Sequence, residues 1–151
     1  MAHRTVEHAS FVIERTFDAT ASRVYDAWSD PAAKARWFGA GNEAYSLDFR
    51  VGGREVTSGE HEGDKYTYTA TIHEIVPQER IVFAYDMDKN DLRISVSLVT
   101  VQLASNGGRT NMTYTEYCAY FDGADTPEQR EHGTRELISA LEESLRQPAT
   151  A

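Results

Sequence analysis

The chain has few cysteines, few basic residues and no long apolar segment, and each shortage excludes a class of protein. The single cysteine, Cys118, excludes an internal disulfide and is typical of a reducing compartment. There is no charged-then-apolar leader and no apolar run near ~18 residues, so we expect a cytoplasmic protein without a membrane span. With 15 Lys and Arg against 24 Asp and Glu, the net charge is −9, which argues against binding to nucleic acid or to anionic membranes.

Cysteine and histidine do not recur at a spacing that suits a metal ion, so we expect no metal and no other cofactor. A chain of 151 residues, 40% of them hydrophobic, is long enough to bury a sizeable core. We therefore expect one domain over residues 1–151, with its core at about 8–147 and short tails at both ends.

The last stretch, residues 126–147, predicts a long amphipathic helix. Thr126 can cap the first turn, Pro127 suits the first helical position and Gln129 completes a capping box. No proline follows until Pro148, which leaves room for about five turns. One face combines an apolar stripe with a small, polar half nearer the N-terminus. The stripe consists of Leu137, Ile138, Leu141 and Leu145, and the polar half of Arg130, Gly133 and Thr134.

The first part of the chain predicts one strand followed by two short helices. Residues 9–17 alternate between apolar and polar side chains, which is typical of a strand with one buried face. The period then becomes helical over residues 18–38, and Asp30-Pro31 divides this segment into two helices. We expect Trp28 and Trp37 to pack these helices against the sheet or to lie at the mouth of a cavity.

From residue 43 onward the sequence predicts strands almost throughout. A strand over 44–50 leads into a glycine turn at 51–53, residues 54–57 return from it, and residues 58–64 are expected to form a loop. Strands over 66–73 and 81–87 follow, each with alternating side chains. Their predicted inner faces carry Tyr66, Tyr68, Ala70, Ile72, Ile81, Phe83 and Tyr85.

The last hairpin, residues 92–121, changes its pattern halfway along. Asn106-Gly107 is a strong turn signal and predicts that Ser105 pairs with Gly108. In that register the inner face is apolar near the turn and polar farther out, whereas the outer face becomes apolar there. The polar inner residues are Arg93, Ser95, Ser97, Glu116 and Tyr120, and the apolar outer residues include Ile94, Val96, Leu98, Tyr117 and Phe121.

Two explanations fit this change of pattern. A pair of β-bulges could rotate the outer half of the hairpin so that its apolar side still faces the core. Without bulges, the polar residues line an internal cavity and a second subunit covers the outer apolar patch in a homodimer. The sequence leaves both explanations open.

These elements predict an α+β fold. A curved antiparallel sheet of about six to seven strands wraps around the long C-terminal helix, and two short helices follow the first strand. The C-terminal helix is the one element long enough to cover the sheet, and the arrangement encloses volume as well as a core.

Five short segments, in this order along the chain, resemble those of AHSA-type proteins. They are Arg15-Thr16-Phe17-Asp18-Ala19, Ala27-Trp28-Ser29-Asp30-Pro31, Trp37-Phe38-Gly39, Asp48-Phe49-Arg50-Val51-Gly52-Gly53 and Glu74-Ile75-Val76-Pro77-Gln78-Glu79-Arg80-Ile81-Val82-Phe83. AHSA-type proteins are relatives of the activator of the ninety-kilodalton heat-shock chaperone ATPase, within the START/birch-allergen-like (SRPBCC) superfamily. The resemblance implies a helix-grip fold. The family often carries a tryptophan after the glycine of the last helix, where this chain has Thr134 after Gly133.

Glu116 is the sharpest candidate for chemistry. In the predicted register it projects inward beside Ser97, with Arg93 one pair farther out, and a carboxylate in a partly dry cavity can transfer protons. The plainer interpretation is a structural pair of Glu116 and Arg93. The predicted cavity residues are Tyr66, Tyr68, Phe83, Tyr85, Arg93, Ser95, Ser97, Tyr114, Glu116, Tyr120, Arg130, Gly133, Thr134 and Leu137. We interpret Asp48, Arg50, Gly52 and Gly53 as architecture, a charge pair beside a tight turn.

Three functions follow. The preferred hypothesis is a binding protein for a small apolar or aromatic molecule held between the sheet and the last helix. The second is a cyclase- or hydrolase-like enzyme in which Glu116 moves protons and Arg93 or a tyrosine stabilises negative charge. The third is a chaperone-cofactor interaction module, which rests on the family resemblance.

Overall fold

In the part of the chain that the structure describes, seven antiparallel strands form one curved sheet, and a long C-terminal helix packs into its concave side. The computed structural model describes residues 4–39 and 44–147. The strands and helices are β1 Val6–Phe17, α1 Ala21–Ser29, α2 Pro31–Ala35, β2 Tyr45–Leu47, β3 Arg54–His61, β4 Asp64–Val76, β5 Arg80–Lys89, β6 Leu92–Asn106, β7 Arg109–Phe121 and α3 Pro127–Arg146. The strand order is β1-β7-β6-β5-β4-β3-β2. The predicted α+β helix-grip fold is confirmed.

Side-chain caps begin each of the three helices in the described residues, and the sequence predicts the cap at Thr126 and the boundary at Asp30-Pro31. Thr20 accepts a hydrogen bond from the backbone N–H of Arg23 at 3.2 Å, and Asp30 both ends α1 and caps α2. Thr126 accepts from the backbone N–H of Gln129 at 3.1 Å. Each cap satisfies an N–H group that has no partner inside its own helix.

The apolar stripe of α3 lies against the inner face of the sheet. Ile138, Leu141 and Leu145 are buried, whereas Leu137 is 36% exposed at the edge of the stripe. On the sheet side the core continues through the inward residues of β1 and β4 to β7. These include Phe11, Ile13, Phe17, Ala70, Ile72, Ile81, Phe83, Val99, Val101, Leu103 and Met112.

The turn of the last hairpin differs from the prediction by two residues. Ser105 pairs with Thr110 rather than with Gly108, and Gly107 and Gly108 form the turn with φ angles of 58° and 86°. A type I′ turn needs positive φ at both central residues, and two glycines meet this requirement better than Asn106-Gly107. Because side chains alternate with a period of two, the shift moves no residue to the other face.

The outer half of the hairpin is not reversed. Ser95, Ser97 and Glu116 are buried on the inner side, while Leu98 and Tyr117 are 49% and 62% exposed on the outer side. The explanation by a pair of bulges that bury the outer apolar side is therefore wrong. The outer apolar surface contains Val96, Leu98, Tyr117 and Val12, with Phe121 half-buried beside it.

One irregularity at the start of β6 corrects two predicted placements. Met87 pairs with Ser95 and Asp88 with Arg93, so Ile94 is an extra residue between them. Ile94 is consequently buried rather than part of the outer patch, and Arg93 lies at the surface rather than in the cavity. The Nε atom of Arg93 lies 2.8 Å from the Asp88 carboxylate. A single bulge changes the side to which the residues beyond it point.

Strand β3 is longer, and β2 shorter, than the sequence predicts. The expected loop over 58–64 is partly strand, since β3 runs to His61, which pairs with Asp64 across Glu62 and Gly63. The outer end of this strand faces solvent and is therefore mostly polar, so the sequence lacks the apolar alternation that predicts a strand.

Among the described residues, none of the helices has the length and apolar character that a membrane span requires.

The glycine turn before β3 brings its own backbone close to that of Ile72 in β4 and of Asp48. The N–H of Gly52 donates to the carbonyl of Ile72 at 2.7 Å, and the Nε atom of Arg50 lies 2.8 Å from Asp48. A Cβ atom at Gly53 would lie 2.0 Å from the carbonyl oxygen of Asp48. The turn therefore requires glycine at position 53 for space.

Two glycine-to-alanine substitutions should change stability in opposite directions. Gly53→Ala should lower the free energy of unfolding by about 2–3 kcal/mol, since the new methyl group overlaps backbone. Gly133→Ala should raise it by about 0.5–1 kcal/mol, because a Cβ there meets nothing within 4 Å and alanine favours a helix. Urea unfolding of both variants tests this, and equal effects would contradict the close backbone contact at Gly53.

Candidate functional site

A cavity of about 540 Å³ lies between the sheet and the N-terminal half of α3. It is lined by three groups of residues. The first is aromatic and comes from α1, the segment after α2 and the sheet: Trp28, Trp37, Phe38, Tyr66, Tyr68, Phe83, Tyr85 and Tyr114. The second belongs to α3 and to the segment just before it: Asp125, Gln129, Arg130, Gly133, Thr134, Leu137 and Ile138. The third is formed by Met87 of β5, Gly39, and Thr57, Ser58, Gly59, Glu60 and His61 of β3.

The aromatic rings of the wall contact one another. The centroids of Trp28 and Trp37 are 4.8 Å apart in an edge-to-face arrangement, and Trp37 donates its indole N–H to the carbonyl of Ala27 at 2.9 Å. The ring centroid of Tyr68 lies 4.9 Å from that of Phe38 and 4.8 Å from that of Tyr85. Such pairs stabilise the wall beyond the area they bury. The wall is therefore held in place by its own packing.

Glu116 lies behind this wall and is fully buried. One carboxylate oxygen accepts a hydrogen bond from Tyr114 at 2.8 Å. The other accepts from Tyr85 at 2.6 Å and from Ser97 at 2.8 Å. Three donors replace the water that the carboxylate loses on burial. The tyrosine rings thus separate Glu116 from the cavity that they line.

Arg130 of α3 is the positively charged partner of Glu116. Its NH1 atom lies 3.6 Å from the Glu116 carboxylate and donates to the Tyr85 hydroxyl at 3.0 Å. Its NH2 atom donates to Ser95 at 2.7 Å and to Asp125 at 2.9 Å. One side chain therefore ties α3 to β5, β6 and the segment that precedes the helix.

Burial sets the ionisation of these groups. It raises the pKa of Tyr85 and Tyr114 well above the usual value, and the negative charge of Glu116 adds to this shift. Burial alone would lower the pKa of Arg130, but Tyr85, Glu116 and Asp125 outweigh burial and raise it. The tyrosines consequently stay neutral and Arg130 stays charged.

A second buried ion pair lies near the two tryptophans. The ammonium of Lys34 in α2 is 2.8 Å from Glu55 of β3, and Tyr45 and Tyr68 both donate to the same carboxylate. The ammonium also lies over the rings of Trp28, Trp37, Phe38 and Phe83, at 4.6 to 5.7 Å from their centroids. Burial lowers the pKa of Lys34, and Glu55 opposes this shift. The pair joins α2 to the sheet at one end of the cavity.

The structure places the predicted cavity residues in three positions. Lining the cavity are Tyr66, Tyr68, Phe83, Tyr85, Tyr114, Arg130, Gly133, Thr134 and Leu137. Buried behind the wall are Ser95, Ser97, Glu116 and Tyr120. Arg93 lies outside, exposed beside Asp86 and Asp88. The predicted pairing of Glu116 with Arg93 is therefore wrong, and Arg130 takes that position.

Sequence reasoning missed the Lys34–Glu55 pair and the contribution of β3 to the wall. Lys34 sits in a short helix beside alanines, and Glu55 follows the glycine turn, so neither residue has a local pattern that predicts burial. Asp125 could have been found, since it directly precedes the capped helix that carries Arg130. The two tryptophans both pack α1 and α2 and line the cavity.

A family model described as Activator of Hsp90 ATPase homolog 1-like protein matches residues 18–147. The chain belongs to this AHSA1 family. An uncharacterized protein of Rhizobium leguminosarum is similar to it at 39% identity, with 97% of this chain and 99% of that chain covered and a TM-score of 0.92. The Mll3558 protein of Rhizobium loti is similar at 43% identity, with 93% of this chain and 99% of that chain covered and a TM-score of 0.88.

Protein CV1439 of Chromobacterium violaceum shows the same fold at 24% identity, with 92% of this chain and 98% of that chain covered and a TM-score of 0.74. A comparison with curated proteins found no match. The predicted AHSA-type identity is confirmed. Membership of the AHSA1 family supports a ligand-binding or cofactor-like fold.

The buried tyrosines predict a steep loss of stability at alkaline pH. Tyr68, Tyr85 and Tyr114 have raised pKa values in the folded state, so the unfolded chain ionises them first. Their contribution is complete below about pH 10 and is lost as the pH rises further, at about 1.4 kcal/mol per pH unit for each tyrosine. The lowered pKa of Lys34 changes the stability in the opposite direction, but Lys34 is one group against three tyrosines.

Urea unfolding between about pH 8 and pH 11 measures this loss. Tyr114→Phe should make the fall in the free energy of unfolding with pH less steep, by the contribution of one tyrosine. Tyr117→Phe, at a 62% exposed ring, serves as the matched control and should leave it unchanged. A stability that stays level up to pH 11 would contradict the buried network.

Proposed function

We propose that this chain binds a small apolar or aromatic molecule in the cavity between the sheet and α3. The observation that carries the proposal is the combination of about 540 Å³ of space with a largely aromatic wall, in which the charge of Arg130 is already paired with Glu116 and Asp125. Ligand sites are commonly concave, mostly apolar and of about 300–1,000 Å³, with a few fixed polar groups. The proposed role is consistent with the AHSA1 family.

Small residues on α3 support the proposal. Gly133 and Thr134 line the cavity, and a Cβ atom at Gly133 would meet nothing within 4 Å. An indole at position 134, as in the family pattern, would enter this space. The chain thus leaves room where its relatives often place a large ring.

Thr134→Trp should abolish binding by filling the cavity. Titration with the neutral probe N-phenyl-1-naphthylamine should give a saturable rise in fluorescence with the natural chain and at least about a tenfold weaker response with Thr134→Trp. Glu136→Trp places the same ring on an exposed position of α3 and should bind as the natural chain does.

Thermal unfolding provides an independent measurement. A ligand at about 100 times its Kd should raise the free energy of unfolding by about 2.7 kcal/mol in the natural chain and in Glu136→Trp, but not in Thr134→Trp. A probe response that survives Thr134→Trp would place the probe elsewhere and would contradict the proposal.

The enzyme and chaperone hypotheses remain predictions. Glu116 accepts three hydrogen bonds and lies behind the tyrosines, and Arg93 is outside, so the contacts favour a structural role for Glu116 over proton transfer. The chaperone hypothesis is supported by the family description alone. The cytoplasmic location also remains a prediction.

A homodimer through the outer face of the sheet is a further part of the proposal. Val96, Leu98 and Tyr117 are 38%, 49% and 62% exposed and lie on neighbouring strands. An apolar surface of this kind is favourably covered by the same surface of a second copy about a two-fold axis.

Leu98→Lys should convert such a dimer to a monomer, because the patch would then bury an unpaired charge at its centre. Light scattering across a concentration series measures the mass. Gln102→Lys lies on the same outer face of β6, farther along the strand, and should leave the dimer intact. A natural chain that is monomeric throughout the series would refute the dimer.

A further inference from the structure

The side chains around the cavity carry more negative than positive charge. The ionisable groups in the lining, apart from the tyrosines, are Glu60, His61, Asp125 and Arg130, and Arg130 is the one arginine or lysine among the described residues that line it. Its NH2 atom lies 2.9 Å from Asp125 and its NH1 atom 3.6 Å from the buried Glu116. Glu60 adds a further negative charge at the exposed edge. Three carboxylates therefore stand against one guanidinium.

The tyrosines of the wall respond to this excess of negative charge. Burial raises the pKa of Tyr114 first, and the charge of Glu116 raises it further. In Tyr85, after burial, Glu116 raises the pKa by more than Arg130 lowers it. Coulomb interactions act over several ångströms, so their sign is set by the surrounding charges and not by the orientation of one hydroxyl or N–H group. A negative charge is thus disfavoured at this wall.

Aromatic rings of the wall already contact positive charge at two places. The guanidinium of Arg130 lies 5.6 Å from the ring centroid of Tyr85. The ammonium of Lys34, which is itself outside the lining and 2.8 Å from Glu55, lies 4.6 to 5.7 Å from the centroids of four rings that line the cavity, Trp28, Trp37, Phe38 and Phe83. The faces of aromatic rings attract ammonium groups, and walls of this composition are typical of sites for organic ammonium ions.

We infer that the cavity selects aromatic or apolar molecules that carry an ammonium group over carboxylates of the same size. The aromatic body occupies the space between the sheet and α3, and the ammonium group lies toward Asp125 and Glu60. A carboxylate there would meet like charges and a guanidinium that two carboxylates already share. The net charge of −9 also raises the local concentration of cations. This inference rests on the proposed function and names the ligand class for that same cavity.

Two naphthalene derivatives of opposite charge test the inference because they share one ring system and are similar in size. 1-Naphthylmethylamine is an ammonium ion at neutral pH, and 1-naphthylacetate is an anion. Displacement of N-phenyl-1-naphthylamine from the natural chain gives the Kd of each. We expect the ammonium ion to bind at least about tenfold more tightly than the carboxylate, because the surrounding charges attract one and repel the other.

Single substitutions then locate the charges that set this preference. Asp125→Asn should lower the preference for the ammonium ion by about tenfold, because it removes an attraction for the cation and leaves Arg130 with one carboxylate fewer. Glu60→Gln, at the exposed edge, should lower it by about twofold to fivefold. Glu136→Gln removes the same charge from an exposed position of α3, and as the matched control it should keep the preference. Circular dichroism confirms that each variant is folded.

The outcomes are distinguishable. Binding of 1-naphthylacetate as tight as that of 1-naphthylmethylamine, or a preference that neither Asp125→Asn nor Glu60→Gln lowers, overturns the inference but leaves ligand binding in place. An equal loss of preference in Glu136→Gln overturns it as well, since the charge of the whole chain would then be the cause. Failure of the fluorescent probe to bind the natural chain overturns the proposed function and this inference with it. A preference that falls in either cavity variant and persists in Glu136→Gln supports the inference.

Discussion

The buried pair of Glu116 and Arg130 is the constraint on which the rest of the structure depends. A carboxylate with no exposure to solvent needs a full set of hydrogen-bond donors and a nearby positive charge. Tyr85, Tyr114 and Ser97 supply the donors, and Arg130 supplies the charge. Because Arg130 belongs to α3 and Glu116 to β7, this requirement fixes how the helix lies on the sheet.

The position of α3 in turn creates the cavity. Arg130, Thr134, Ile138, Leu141 and Leu145 face the sheet at helical spacing. The apolar residues at the C-terminal end fill the space beneath them. At the N-terminal end the sheet is met by the small residues Gly133 and Thr134, and the charged groups there, Arg130 and Asp125, already have partners. The cavity can therefore stay open without leaving unsatisfied charges behind its wall.

The sequence was sufficient for most of the fold and for part of the site, and particular residues show why. The cap at Thr126 and the alternation along Tyr66, Tyr68 and Ala70 are local patterns, and the structure follows them. A register error in the last hairpin was harmless because it amounted to two residues. Contacts between elements that are distant in the sequence could not be predicted from local patterns. The hairpin pattern offered only Arg93 as a partner for Glu116, whereas the actual partner is Arg130 of the helix, and a single bulge at Ile94 sufficed to turn Arg93 outward.

The buried carboxylates and the wall of the cavity are connected through the same tyrosine hydroxyls. Glu55 and Glu116 stabilise the fold by accepting hydrogen bonds from Tyr68, Tyr85 and Tyr114, and these rings also line the cavity. The carboxylates thereby hold these tyrosine side chains in place, although neither carboxylate lines the cavity. A substitution at either carboxylate would free tyrosine protons, weaken the attachment of α2 or α3, and alter the hydrogen-bonding character of the wall together. The residues that hold the wall of the cavity thus lie one layer behind its surface.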